Sequence, residues 1–267
     1  MGDRRAARPG FGLLFGGALA LAAIWLVFIG LANALFLGWS DWIHFLCQGR
    51  TWRCFGLSVG TAGLATCVSM LLAVPLGFAL SRARFRGQWL LQALLDLPIM
   101  VPPAAVGMFL LGLFGSGPGA WLESSLGIQL VHALPGVVLA QVVVTCAFGV
   151  RVCRAAFEAI PPTYEAVARS LGASLASTFF RVHLPLARSA LLAATCLVWA
   201  RALAEYEALM LFVGAIQGRT DVMPLAVYLD TTAGKLEWAT VFSFLCAGLG
   251  VVSLWAIRRL GARRGQA

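Results

Sequence analysis

The sequence predicts an all-α, polytopic membrane protein of about six transmembrane helices, and three observations carry that prediction. Apolar residues form 60% of the chain against 12% charged, with a mean hydropathy of +0.87, whereas a water-facing surface needs roughly 25–35% charged residues. The apolar residues gather in long runs, and about 20 in succession cross a hydrocarbon core roughly 30 Å thick as a helix that satisfies its own backbone. The arginines, finally, fall mostly in alternate loops, as the inside-positive rule requires. Barrel strands would be segments of about 10 residues alternating in polarity, and no such alternation occurs.

The first span is expected over Phe11–Leu37, behind Arg4, Arg5 and Arg8. It outlasts the apolar region of a cleavable signal, about 7–15 residues, and is read as an uncleaved helix. The second, Leu57–Leu80, leads into Arg82, Arg84 and Arg86; the third and fourth are Trp89–Phe114 and Leu134–Phe157. Arg151, Arg154, Arg169, Arg181 and Arg188 flank or occupy the long loop before the fifth span, Leu186–Val213. The sixth, Trp238–Arg258, ends among Arg258, Arg259, Arg263 and Arg264. The opposite side holds Arg50, Arg53, Arg219 and Lys235, so both termini and the long loop are expected in the cytoplasm. The chain divides into a first helix and external loop (1–57), a core of about five spans (58–258) containing the loop 158–186, and a basic tail (259–267). The net charge of +9 reflects this topology. Its arginines sit at helix ends and form no single basic face of the kind that binds nucleic acid.

Seven cysteines show no Cys-x-x-Cys spacing. Cys47 and Cys54 fall in the first external loop, where an oxidising compartment could join them; otherwise they are two small apolar side chains. The histidines His44, His132 and His183 are expected in loops.

Charges within spans cost at least ~2.5–3.5 kcal/mol each at the bilayer centre and are seldom incidental. Asp96 lies in the third span, and Arg201, Glu205 and Glu207 in the fifth. Arg201 and Glu205, spaced i,i+4, share a helix face; they either neutralise each other as a packing pair or line a path. Pro98, Pro102 and Pro103, followed by Gly107, break the ladder of the third span, which lipid tolerates only against neighbouring helices or a water-filled cavity.

The long loop has its own structure. Pro161-Pro162 breaks the preceding helix, Thr163 is the expected N-cap of a short helix over Tyr164–Leu171, and Gly172 ends it in the left-handed conformation. A second amphipathic stretch, Ser174–His183, is expected to stop at Leu184-Pro185. Simple interhelical connections take about 2–8 residues, so a structured polar loop this long points to docking.

Glu165-Ala166-Val167-Ala168-Arg169-Ser170-Leu171-Gly172, followed nine residues later by Val182-His183-Leu184-Pro185, resembles the cytoplasmic EAA loop of type I ATP-binding-cassette (ABC) importer permeases. The resemblance implies a coupling helix that docks onto cytoplasmic ATPase subunits through Thr163, Glu165, Ala166, Ala168, Leu171, Gly172, Ala173, Ser174, Leu184 and Pro185. In this chain the acid stands one residue earlier, since the family's glutamate falls on Ala166. The capping box with Thr163 is thereby lost, leaving Glu165 to favour the helix dipole by roughly 0.3–1 kcal/mol.

The proline run, Gly115–Gly119, Arg201-Ala202-Leu203-Ala204-Glu205-Tyr206, Gly218-Arg219-Thr220 and Met223-Pro224-Leu225 are similar to the molybdate/tungstate branch of oxyanion importers. Sulfate permeases are the neighbouring alternative. The resemblance, from about Ser58 onward, implies a bacterial inner-membrane channel of two permease copies, a periplasmic binding protein that selects the anion, and no cofactor or catalytic residue in this chain. Asp96, Pro98, Pro102, Pro103, Gly107, Arg201 and Glu205 are the residues expected along the pathway or packing beside it. ATP hydrolysis falls to a partner, since the one lysine, Lys235, precedes Leu236 and belongs to no phosphate loop. Two other classes fit the residues less well. An intramembrane enzyme, such as a protease or a lipid-modifying transferase, would find poor equipment in three histidines and no His-Glu-x-x-His, and a stand-alone ion-driven transporter, for which Asp96 and Glu205 could carry protons, would leave the docking loop without a purpose.

Overall fold

The computed structural model describes residues 30–82, 87–116 and 118–262, with positions 21, 24, 25, 27 and 28. Most of the first expected span and the arginines at 4, 5, 8, 84, 86, 263 and 264 lie outside the described residues. Among those described, all regular structure is helical. Within the described residues four helices are long and apolar enough to cross a membrane, and a bent pair supplies a fifth if counted as one span.

The segment expected as the first external loop is instead folded into α1 (Trp39–Cys47) and the opening turns of α2 (Gly49–Arg82). The Asp41 carboxylate accepts from the Gly38 N–H at the start of α1 (3.2 Å). At its end the Thr51 hydroxyl and the Trp52 indole donate to the carbonyls of Phe45 and Leu46, at 2.7 and 2.9 Å. Those groups bond carbonyls in the last turn of α1, where helical pairing runs out. The extension of α2 back to Gly49 is held by Arg50, which pairs with Asp230 at 2.9 Å and lies 4.8 Å from the Trp238 ring. Cys47 and Cys54 are therefore not joined. Both thiols are free, and the buried Cys54 donates to Asp221 at 3.5 Å.

The third expected span is two helices, α3 (Gln88–Met100) and α4 (Pro103–Gly115), bent by 101°. Pro103 excludes the helical conformation at the residue before it, and Pro102 accordingly stands at ψ 134°. Pro103 itself is tolerated at the first position of α4, where its missing N–H would be unpaired anyway. Pro98 remains inside α3.

After a short helix α5 (Pro118–Leu126), α6 (Leu134–Glu158) runs along α2 in the most extensive helix contact among the described residues. Small residues permit this approach. A Cβ on Gly77 would meet the backbone N of Arg154 at 2.8 Å, and one on Gly149 would meet Ala73 at 3.1 Å. Ser69 and Thr145 share a buried hydrogen bond of 2.9 Å across the same seam.

The remaining elements are α7 (Thr163–Ser170), α8 (Leu175–Thr178), a π turn (Phe179–His183), α9 (Leu184–Leu203), α10 (Glu207–Phe212), α11 (Met223–Thr232) and α12 (Leu236–Ala262). Two expectations are corrected here. The chain does not stop at Leu184-Pro185. It passes from α8 into α9 as one rod of 29 residues, Leu175–Leu203. Pro185 lacks an N–H and its ring crowds the carbonyl four residues back, and the wider π turn, with the Leu184 N–H bonded to Phe179 O, absorbs it. The fifth span also ends at Leu203 rather than Val213, because the helix breaks at Ala204–Tyr206.

Candidate functional site

The loop between α6 and α9 begins where Pro161-Pro162 ends the preceding helix. Thr163 is the first residue of α7 and not its N-cap; Pro162 holds that place at φ −65°, ψ −14°, with no side-chain cap. The Ala166 N–H bonds to Pro162 O at 3.1 Å, so helical pairing already starts at the proline. Gly172 does take the left-handed conformation, φ 84°. Its N–H bonds to Arg169 O and that of Ala173 to Ala168 O, both at 3.0 Å, which closes the helix in the manner glycine permits. Ser174 then caps α8 by accepting from the Ser177 N–H at 3.2 Å.

This segment presents an apolar ridge to the outside. Tyr164, Val167, Leu171 and Leu175 are all exposed, Leu171 at 83%. Thr163, Ala166 and Pro185 are exposed, while Ala168, Ala173 and Leu184 are half-buried. Glu165 points the other way. Its carboxylate, 16% exposed, lies 3.5 Å from Arg82 at the end of α2 and 3.5 Å from His183. His183, expected in a loop, is wholly buried in the π turn, and His44 lies in α1; of the three histidines only His132 is outside a helix.

A second polar site occupies the break between α9 and α10. Arg201 donates to Glu205 Oε2 at 2.7 Å, and Glu205 Oε1 accepts from the Ala208 N–H at 3.0 Å. The expected i,i+4 pair is present, but Glu205 stands beyond the end of α9 and caps the next helix. Gln141 of α6 donates to Ala202 O at 3.1 Å, a carbonyl in the last turn of α9. The Arg201 side chain is 35% exposed and the Glu205 side chain 2%. We expect Glu205→Ala to lower thermal stability by about 1–3 kcal/mol, because it strips a buried acceptor from a buried N–H. Arg201→Ala should lower it as well, because it leaves the buried Glu205 carboxylate without its counter-charge, and melting of either variant at the temperature of the unsubstituted protein would sink this account.

Of the other expected pathway residues, Gly107 packs against α10 just past this break, while Asp96 lies apart from it. Asp96 lines a cavity of about 270 Å³ with Gln92, Arg151, Arg154 and Glu158, and neither Arg201 nor Glu205 borders it. Arg154 and Glu158 are themselves paired at 2.6 Å. Pro98, Pro102 and Pro103 shape the bend between α3 and α4. Gly107 is a packing residue, since a Cβ there would meet Ala208 O at 2.6 Å.

Sequence reasoning missed the polar seam between α2 and the approach to α11. Ser58 donates to Cys54 O and accepts from the Met223 N–H at 2.7 Å, so one helix caps another. Gly56-Leu57-Ser58-Val59-Gly60 matches the Gly-x-Ser-x-Gly spacing of a hydrolase nucleophile, but Ser58 is buried inside α2 and not on the strained strand-to-helix turn that exposes such a serine. Asp221 is fully buried beside Cys54.

Comparison with known proteins agrees with this architecture. Residues 65–265 match the family described as binding-protein-dependent transport system inner membrane component. The molybdenum transport system permease protein ModB of Mycobacterium tuberculosis is 35% identical over 209 residues, covering 78% of this chain and 77% of the relative. The sulfate transport system permease protein CysT of Escherichia coli is 27% identical over 263 residues, 97% of this chain and 95% of the relative. The crystal structure of a bacterial ABC transporter involved in the import of the acidic polysaccharide alginate shares the fold at a TM-score of 0.74 and 17% identity, with 96% of each chain covered. The chain belongs to the family of binding-protein-dependent transport system inner membrane components and is a multi-pass transport subunit of an ABC importer.

Proposed function

We propose that this chain is the permease of an oxyanion importer, carrying molybdate or tungstate from periplasm to cytoplasm by alternating access driven by partner ATPase subunits. The observation that carries the reading is the loop between α6 and α9. A short helix, a left-handed Gly172 and a row of exposed apolar side chains project from the end of the helical body that carries Arg82, Arg154, Arg169 and Arg181. An apolar ridge rimmed by polar residues marks a contact surface on a protein, and a groove of the ATPase is its proposed partner. Both termini and this loop are then cytoplasmic, a periplasmic binding protein delivers the anion to the opposite face, and a second copy of the chain completes the channel.

Arg201 and Glu205 are the proposed pathway groups. The part-exposed guanidinium offers an anion a contact, and its pairing with Glu205 keeps that contact weak enough to release. Oxyanions differing in size compete at the binding protein, so the chain itself sets the machine more than the cargo. The sulfate relative, similar over nearly the full length, supports sulfate as a second reading.

The test is uptake of radiolabelled molybdate by vesicles containing the permease, its ATPase and its binding protein. ATP-dependent uptake blocked by unlabelled tungstate and not by sulfate is the expected result. Block by sulfate alone would favour the second reading, and uptake without the ATPase would overturn the first.

A further inference from the structure

The helix α7 has no buried residue, so its attachment to the body of the protein cannot rest on an apolar face. What holds it is polar. Glu165 Oε2 lies 3.5 Å from Arg82 Nε and 3.5 Å from His183 Nε2. Arg82 donates in turn to the carbonyls of Phe157 and Ile160, both at 3.3 Å, and its Nη2 is 3.5 Å from His183 Nδ1. One carboxylate thus closes a ring that joins α7 to the end of α2, the end of α6 and the π turn that opens α9.

The ring is fixed on its inner side. His183 is fully buried and its ring lies 5.0 Å from that of Phe78. Among the described residues, Arg82 Nε and His183 Nε2 are buried without a hydrogen bond, and the Glu165 carboxylate is the group that faces both. Register explains how it comes to be there. A shift of one residue along a helix turns a side chain by about 100°. Glu165 therefore faces inward, where Ala166, the position at which the family resemblance places its acid, is exposed.

We infer that Glu165 is a positioning residue that transmits movement of α7 to the ends of α2 and α9. The inference rests on the docking reading above. The helix that meets the ATPase is linked to the spans by an ion-pair junction, and the carboxylate serves that junction and not the partner.

The experiment uses the full permease in lipid nanodiscs or vesicles with its ATPase and binding protein, and reads three quantities: ATPase retained, ATP hydrolysed, and molybdate moved per ATP. Glu165→Gln keeps the shape and removes the charge. It should retain the ATPase and hydrolyse ATP within about twofold of the unsubstituted protein, as loss of one part-exposed pair allows. Molybdate moved per ATP should fall at least about fivefold, the lower end of site-to-site coupling. The pair Arg82→Glu with Glu165→Arg should recover part of that loss relative to either change alone, which a merely structural defect would not do. If Glu165→Gln folds poorly, Glu165→Asp keeps the charge on a shorter arm; a lowered ratio there supports the inference and an unchanged ratio overturns it. An unchanged ratio in Glu165→Gln overturns it, as does loss of the ATPase from that variant, which would place the carboxylate at the partner. Failure of the unsubstituted permease to retain any ATPase would instead remove the docking reading itself, and is seen without any substitution.

Discussion

Replacing Gly172 with proline is expected to release the ATPase from a permease whose spans still fold. Gly172 stands at φ 84°, while proline is locked near −65°, so the bend between α7 and α8 cannot form. The substitution also removes the N–H that bonds to Arg169 O at 3.0 Å. Nothing lies within 4 Å of a Cβ built at Gly172, so the damage is conformational and local. Gly172→Ala isolates the dihedral term, since a non-glycine residue in the left-handed region costs roughly 1–2 kcal/mol, and it should retain an intermediate amount of ATPase. The measurement is co-purification of ATPase with each variant, normalised to monodisperse permease. Wild-type retention by Gly172→Pro would show that the ridge of α7 is not the docking surface.

Gly77→Leu is expected to be the most damaging single change within the spans. A Cβ at this position would lie 2.8 Å from the Arg154 backbone N and 2.8 Å from Cys153 Cβ, so α2 and α6 must separate before any of the remaining side chain is placed. Backbone cannot yield as a flexible side chain can, and the cost should reach about 3 kcal/mol, the upper part of the overpacking range. Gly248→Leu is the control, because a Cβ there meets nothing within 4 Å and leucine is the better helix former by about 0.8 kcal/mol or less. Thermal melts in detergent should show a large drop for Gly77→Leu and none for Gly248→Leu. Equal melting temperatures would mean that the α2–α6 seam is looser than its geometry implies.

How far the sequence could be read depended on the range of the interaction. Signals written in neighbouring residues were legible: the apolar runs, the break at Pro102-Pro103, and the glycine that ends α7. The break after Leu203 was not, since Ala204-Glu205-Tyr206 contains neither proline nor glycine and local propensity would continue the helix. It exists because Glu205 answers Ala208 and Arg201 together, a choice decided by three-dimensional pairing. The helical start of α2 was hidden for the same reason, as Arg50 depends on Asp230, 180 residues away. In the loop between α6 and α9 the helix and its glycine were readable while the direction of Glu165 was not, because Arg82 and His183 are brought to it only by the packing of α2 against α6 and α9.

The π turn at Phe179–His183 has a mechanical consequence. By absorbing Pro185 it leaves no joint between Leu175 and Leu203, a stretch of 29 residues and thus about 43 Å at the helical rise. A rod of that length is a lever. Were that rod to tilt as a unit, displacement at its Leu175 end would be carried to the end that holds Arg201 and its partner Glu205.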